Sequence, residues 1–436
     1  MNTMRMCLVL RNVLLVAFLC QSSDVLGAPA SMPATSVFAT TKAGANSKTT
    51  SLPAAGPSGW RGDGTGIYAD AKPPLEWDSD EKKNILWKVS VGSSYSSPVV
   101  VAGRIVLTSE GEKLTCIDIK TQKVLWERTN TFDDLPKELG AKEKRNATSC
   151  GFSTATPVTD GSYVWVSFGT GIVACYDLEG NRKWIVWFDN PQQSEYGRTA
   201  SPLLVDGKLI VTVGFLIALD PATGKTLWTC KEAKEGFGTA ALMRPGQSTL
   251  AITSMGDVVR VSDGALLERA LATCTYNSPV VAGNKVYFGD VKSFAFEMSA
   301  EGGKIAFKKI WESELEGEFF ASPVIYDGIL YVASNAGDFY ALDAGTGNEI
   351  YKHQLDIAST AVMLGMSPGN LYPSLAIAGG NIYVSNDMGQ TLVVQPGKEF
   401  KQLAKNYVED RSGSNIVFDG QFVYLRGGEY LYCIGK

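Results

Sequence analysis

One unit recurs along this chain, and the recurrence constrains the fold more than any other feature. "SSPVVVAGRIVLTSEGEKLTCIDIKTQKVLWER" (96–128) returns as "ASPLLVDGKLIVTVGFLIALDPATGKTLWTC" (200–230) and as "ASPVIYDGILYVASNAGDFYALDAGTGNEIYKH" (321–353). "TATPVTDGSYVWVSFGTGIVACYDLEGNRKWIVW" (154–187) is a fourth clear copy, and "NSPVVAGNKVYFGDVKSFAFEM" (277–298) keeps the first half. Degenerate copies cover 238–269, 372–400 and 413–436.

Each copy parses into the same strands. Ser-Pro opens one, where the missing proline N–H costs little. A Gly-containing turn such as Asp327-Gly328 leads to an apolar strand like "ILYVAS", continuous enough for both its faces to be covered. A third strand ends at an Asp turn, and a fourth carries an aromatic. Eight units at about 40–50 residues predict an all-β, eight-bladed propeller of four-stranded antiparallel blades. Composition agrees: 45 glycines and 10% aromatic residues suit short strands and tight turns.

The Asp turns read as structure, because they recur at equivalent places. Asp118, Asp177, Asp220 and Asp343 are expected to accept turn N–H groups, with Gly224 and Gly347 supplying positive φ. Seven or eight residues later stands an aromatic: Trp126, Trp184, Trp228 or Tyr351. Such a ring can lie over the turn glycine of the adjacent blade and seal the joint. The last copy lacks its fourth strand, and "NILWKVSV" (84–91) contains Trp87 in the matching place. That strand is expected to complete the C-terminal blade and close the ring.

The N-terminus reads as an export signal over 1–27. Arg5 and Arg11 precede the apolar run 13–20, and cleavage is expected near Gly27. A lipoprotein form would use Cys20, but Phe18 and Leu19 stand where small residues are wanted. Residues 28–58, rich in Ala, Ser, Thr and Pro, read as a disordered tether. The propeller then covers 59–436. Between tether and blades lies "GWRGDGTGIY". Its Arg-Gly-Asp tripeptide and its glycines mimic an adhesion signal and a phosphate loop, but neither reading finds support nearby. Trp60 is expected to dock on the outside of the ring.

The pattern Ala-x-Asp-x-x-Thr-Gly-Lys-x-x-Trp at 218–228 resembles the tryptophan-docking repeat of pyrroloquinoline-quinone (PQQ) propellers, which are eight-bladed. The lead-in from Trp60 and the stretch 155–184 resemble exported PQQ-like propeller proteins, and the resemblance covers 60–436. That family contains dehydrogenases holding PQQ and Ca²⁺, and also the non-enzymatic lipoprotein of the outer-membrane β-barrel assembly machinery. The enzymes' adjacent-cysteine disulfide has no counterpart here. No position matches their calcium ligands or catalytic Asp, so the resemblance implies no catalytic residue.

Other chemistry is poorly supplied. The net charge of −5 comes without a basic patch, which excludes a nucleic-acid footprint. The single histidine, His353, is expected on an outer strand, so neither a Ser/His/Asp triad nor a histidine metal site is expected. Cys116, Cys175 and Cys433 share one repeat position and read as packing residues, while the pairing of Cys150, Cys230 and Cys274 is left open.

What remains is the ring of loops before each first strand. Tyr95, Arg145, Phe152, Glu195, Tyr196, Arg198, Phe237, Tyr276, Asn277, Glu318, Phe320, Tyr372 and Arg411 recur there as candidate binding residues at one mouth of the channel. The expected function is an exported, non-catalytic, monomeric scaffold that binds an envelope protein or peptide, with no metal or cofactor. Two alternatives stay open: a PQQ/Ca²⁺-dependent oxidoreductase and a glycan-binding propeller.

Overall fold

The computed structural model describes residues 57–139, 148–190, 196–302, 304–358, 369–411 and 413–436. The signal segment, residues 28–56 of the tether, Arg145 and Glu195 lie outside the described residues.

Eight antiparallel four-stranded sheets follow one another. Blade 1 runs Val99–Val101, Arg104–Ser109, Lys113–Asp118, Val124–Thr129, and blade 2 runs Val158–Thr159, Tyr163–Ser167, Ile172–Asp177, Arg182–Trp187. Blades 3 to 7 repeat this order with first strands Leu203–Val205, Ala241–Met243, Val280–Ala282, Val324–Tyr326 and Ala376–Ala378. Blade 8 takes Val417–Asp419, Phe422–Arg426 and Tyr430–Ile434 from the C-terminus. Its fourth strand is Ile85–Ser90, paired antiparallel from Ile85↔Ile434 to Ser90↔Tyr430. Two 3-10 turns, Phe132–Asp134 and Lys137–Leu139, occupy the insertion after blade 1. Among the described residues no helix is long and apolar enough to cross a membrane.

The second and third strands are apolar because neighbouring blades cover both faces. Ile105, Val106 and Leu107 of blade 1 are fully buried, split between the seams toward blades 8 and 2. The fourth strands lie at the rim. Val124–Thr129 is largely exposed apart from Trp126. That ring sits on Gly180 in the turn of blade 2, where a Cβ would lie 2.6 Å from it, and its Nε1 donates to the Leu178 carbonyl oxygen at 2.9 Å. Trp184 covers Gly224, Trp228 covers Gly264 and Trp311 covers Gly347 in the same way. Each indole N–H donates to a carbonyl of the next blade, at 2.9–3.0 Å. Sequence reading missed Trp311, since its copy loses the repeat before the fourth strand. The Asp turns carry no free carboxylates: Asp220 Oδ1 accepts from the backbone of Ala222 and Thr223 and from the Thr223 hydroxyl.

The segment before the closing strand enters the channel, which corrects the expected outside docking of Trp60. Ser58 pairs with Thr159 on the inner edge of blade 2. Ile67–Tyr68 pairs in parallel with Ile377–Ala378, becoming a fifth, innermost strand of blade 7. Between them Gly59 and Gly62 close a tight turn through reciprocal backbone bonds of 2.7 and 3.1 Å. Arg61, 2% exposed, donates from Nη2 to the carbonyls of Pro323 and Leu375 on blades 6 and 7. Residues 58–68 therefore span the channel as an internal plug. The Arg-Gly-Asp tripeptide has its arginine buried, which rules out its presentation to a receptor.

Candidate functional site

The first strand of each blade starts at the channel, so the residue just before it faces the same residue of the next blade. Seven of these positions hold Ser or Thr and the eighth holds Asn415. Seven of these side chains, all but Ser278, accept the neighbour's backbone N–H in sequence around the ring. Ser97 N donates to Thr156, Thr156 N to Ser201, and Ser201 N to Thr239, at 2.9–3.1 Å. Ser278 N donates to Ser322, Ser322 N to Ser374 and Ser374 N to Asn415 Oδ1, at 2.7–3.2 Å. Asn415 N returns to Ser97 Oγ at 3.1 Å. A following proline marks five of these positions, Ser97, Thr156, Ser201, Ser278 and Ser322, as strand openings. Their second role, a belt of interblade bonds, needs the neighbouring blade to become visible.

Two residues earlier in each unit stands the rim position. Blades 4 to 7 place Phe237, Tyr276, Phe320 and Tyr372 there, and blade 1 places Tyr95. Tyr276 stacks on Phe320 with centroids 4.4 Å apart and planes at 16°. Tyr372 meets Phe320 edge-on at 5.3 Å, and Phe237 lies 5.5 Å from Tyr276. Tyr196, from the loop into blade 3, completes the arc edge-on to Phe237 and Tyr276. Blade 8 has Gly413 at this position, and the Tyr95 ring leans over it; a Cβ there would lie 2.3 Å from that ring.

Collar and belt enclose a cavity of about 320 Å³, with Trp60 of the plug also in its lining. Its described lining consists of aromatic rings, Ser and Thr hydroxyls, Asn415, two glycines and the Cys150 thiol. No ionised side chain is among them. Tyr95 and Tyr372 are the open rings, 46% and 38% exposed. Burial raises both phenols above their ordinary value, so they are neutral hydroxyls at neutral pH.

The candidates from the sequence separate into three groups. Tyr95, Tyr196, Phe237, Tyr276, Phe320 and Tyr372 come together around the cavity. Arg198 and Asn277 serve the fold instead, and Phe152 lies outside the cavity lining. Arg198 is 5% exposed, pairs with Glu235 at 2.7 Å and donates to the Gly169 carbonyl oxygen. Asn277 Nδ2 ties Gly289 to Phe319, and the Phe152 backbone N–H donates to Glu110. Arg198 and Asn277 each neighbour a sheet end whose carbonyls or carboxylates need partners. Glu318 and Arg411 are exposed and lie outside the cavity lining.

Elsewhere, His353 stacks on Phe400 at 3.6 Å on an exposed outer strand. The six cysteines among the described residues are free thiols. Burial raises the Cys116, Cys175 and Cys274 thiols, which fits packing residues.

The fold is shared with proteins of different kinds. The chain is 14% identical to BamB from Moraxella catarrhalis, with a TM-score of 0.58 over 80% of this chain and 99% of that one. A europium-containing methanol dehydrogenase gives 13% identity and a TM-score of 0.55 over 87% and 98% of the two chains. The computationally designed Ika8 protein gives 13% and 0.54 over 80% and 98%. At such identities the likeness is one of fold. No curated protein matches the chain in sequence. The repeats, the blade joints and the match of residues 54–215 and 213–434 to its family model together place the chain in the family described as outer membrane protein assembly factor BamB.

Proposed function

We propose that the chain is an exported, non-catalytic binding module of the cell envelope, an assembly factor that docks a protein partner on its loop face. Export rests on the leader over 1–27, with the tether from 28 ending at Ser58, where the chain first pairs with blade 2, and 59–436 as the working domain. The observation that carries the binding reading is the collar. Six aromatic rings gather at one mouth, two of them well exposed, and the exposed Glu318 and Arg411 belong to the same set of loops. Exposed aromatics with charged neighbours are the composition of a protein-binding hot spot.

The oxidoreductase alternative asks the cavity for a quinone bearing carboxylates and for a calcium ion. Such a pair needs cationic side chains and several oxygen ligands, including carboxylates. The described lining offers neutral hydroxyls and rings. Among the described residues no group of three or more His, Cys, Asp or Glu side chains is placed to hold a metal. The lining does not fit the cofactor, and this favours the binding reading.

The test is affinity purification of the full chain from detergent-solubilised envelope. A partner should co-purify with the wild type and be lost with Tyr95→Ala/Tyr372→Ala, at unchanged melting temperature. Recovery that survives both substitutions rejects this face. Retention of PQQ after desalting in the presence of Ca²⁺, with dye reduction, returns the oxidoreductase.

A further inference from the structure

The belt and the collar carry chemistry that a protein-docking surface does not need. We propose that the cavity beneath the collar binds a neutral saccharide, one sugar ring deep, independently of any protein docked on the rim. The volume of about 320 Å³ stands at the lower end of small-ligand pockets, roughly 300–1,000 Å³. A charged ligand would leave water with no counter-charge among the described lining residues, which is costly.

The hydrogen-bonding capacity of the belt selects further. A Ser or Thr hydroxyl has one proton to donate and two lone pairs. In the belt one lone pair is occupied by the neighbouring blade's N–H, as at Thr239, which accepts from Ser201. The proton and the second lone pair remain for a ligand. Asn415 spends its Oδ1 on Ser374 and keeps its Nδ2 donors. Ser278 has an intact donor and acceptor set, because the Thr239 N–H makes no such bond to it. Such groups at one level of the cavity match a polyol, whose hydroxyls rotate and both accept and donate. An extended peptide matches poorly, since each fixed N–H would need an acceptor in line.

The aromatic rings supply the other half. A pyranose has an apolar C–H face that lies well on an aromatic face, whose π-cloud is negative. Trp60, held in the channel by the plug, and the Tyr276–Phe320 stack place such surfaces in the same cavity as the hydroxyls. A purely aromatic ligand would use the rings and leave the belt unanswered.

The test uses the full chain and neutral probes: chitobiose, cellobiose and maltotriose, followed by calorimetry and ligand-observed NMR. At least one is expected to saturate with Kd of about 1 mM or tighter, some 4 kcal/mol. Ser278→Ala removes a hydroxyl that holds no interblade N–H. It should weaken that binding about tenfold at unchanged melting temperature, the loss of one hydrogen bond. Tyr372→Ala should weaken it through the collar. No saturation by any probe at about 20 mM, well above that Kd, overturns the proposal. So does saturation that both variants leave intact, or binding of indole with no response to sugars. Loss of the co-purifying protein leaves these outcomes unchanged, so the two readings fail separately.

Discussion

Arg61 donates from Nη2 to the carbonyl oxygen of Leu375 at 2.7 Å, across 314 residues of chain. A second bond from the same nitrogen reaches Pro323 at 2.8 Å. Burial lowers the guanidinium pKa to about 10, so it remains a cation at neutral pH. Arg61→Leu leaves two buried carbonyls without their donor and is expected to cost roughly 2–3 kcal/mol. Urea denaturation of both proteins measures this directly. A stability unchanged within error would show that the plug is not fastened by this residue.

The belt predicts a contrast between two similar substitutions. Thr239→Val keeps the shape and removes the acceptor of the Ser201 N–H, so about 1–2 kcal/mol should be lost. Ser278→Ala removes a hydroxyl outside the interblade bonds and should be near neutral. Equal losses in thermal melts would contradict the assignment of the belt.

The blade joints predict that a single methyl is disruptive. Gly264 has φ of +75°, and a Cβ there would lie 2.6 Å from the Trp228 ring. Gly264→Ala is expected to cost about 2–3 kcal/mol from strain and displaced packing together. Adding Trp228→Ala should make the methyl far less costly, because its clash is gone. A double-mutant cycle reads the coupling.

Alkali should unfold the protein before neutral or mildly acidic conditions do. Burial raises the phenols of Tyr383, Tyr424 and Tyr432 above their ordinary value of 10.0. An acid whose folded pKa is raised stabilises the fold fully below its unfolded value. That contribution is lost as pH climbs from about 10 toward the folded pKa. The melting temperature should fall above about pH 10, with phenolate absorbance rising at the unfolding transition. Ionisation of Tyr383, Tyr424 or Tyr432 themselves, followed residue by residue by NMR of labelled tyrosine, well before unfolding would contradict this burial.

The architecture was legible because it is built from local rules repeated eight times. Asp220, Gly224 and Trp228 each act within one turn or against the next copy of that turn, and a repeat reports its own neighbour. The six collar aromatics were legible for the same reason, five being loop residues at one register and Tyr196 standing three residues before it. Trp60, Arg61, Arg198 and Ser278 were not. Arg61 meets carbonyls of blades 6 and 7, and its burial depends on a channel that exists only when all eight blades are assembled. Arg198 has the composition of a surface cation until Glu235 and the Gly169 carbonyl arrive beside it. The Ser of Ser-Pro looks like punctuation in one dimension. Circular order brings Asn415 N beside Ser97 Oγ, and the punctuation becomes a belt of bonds and the wall of a cavity.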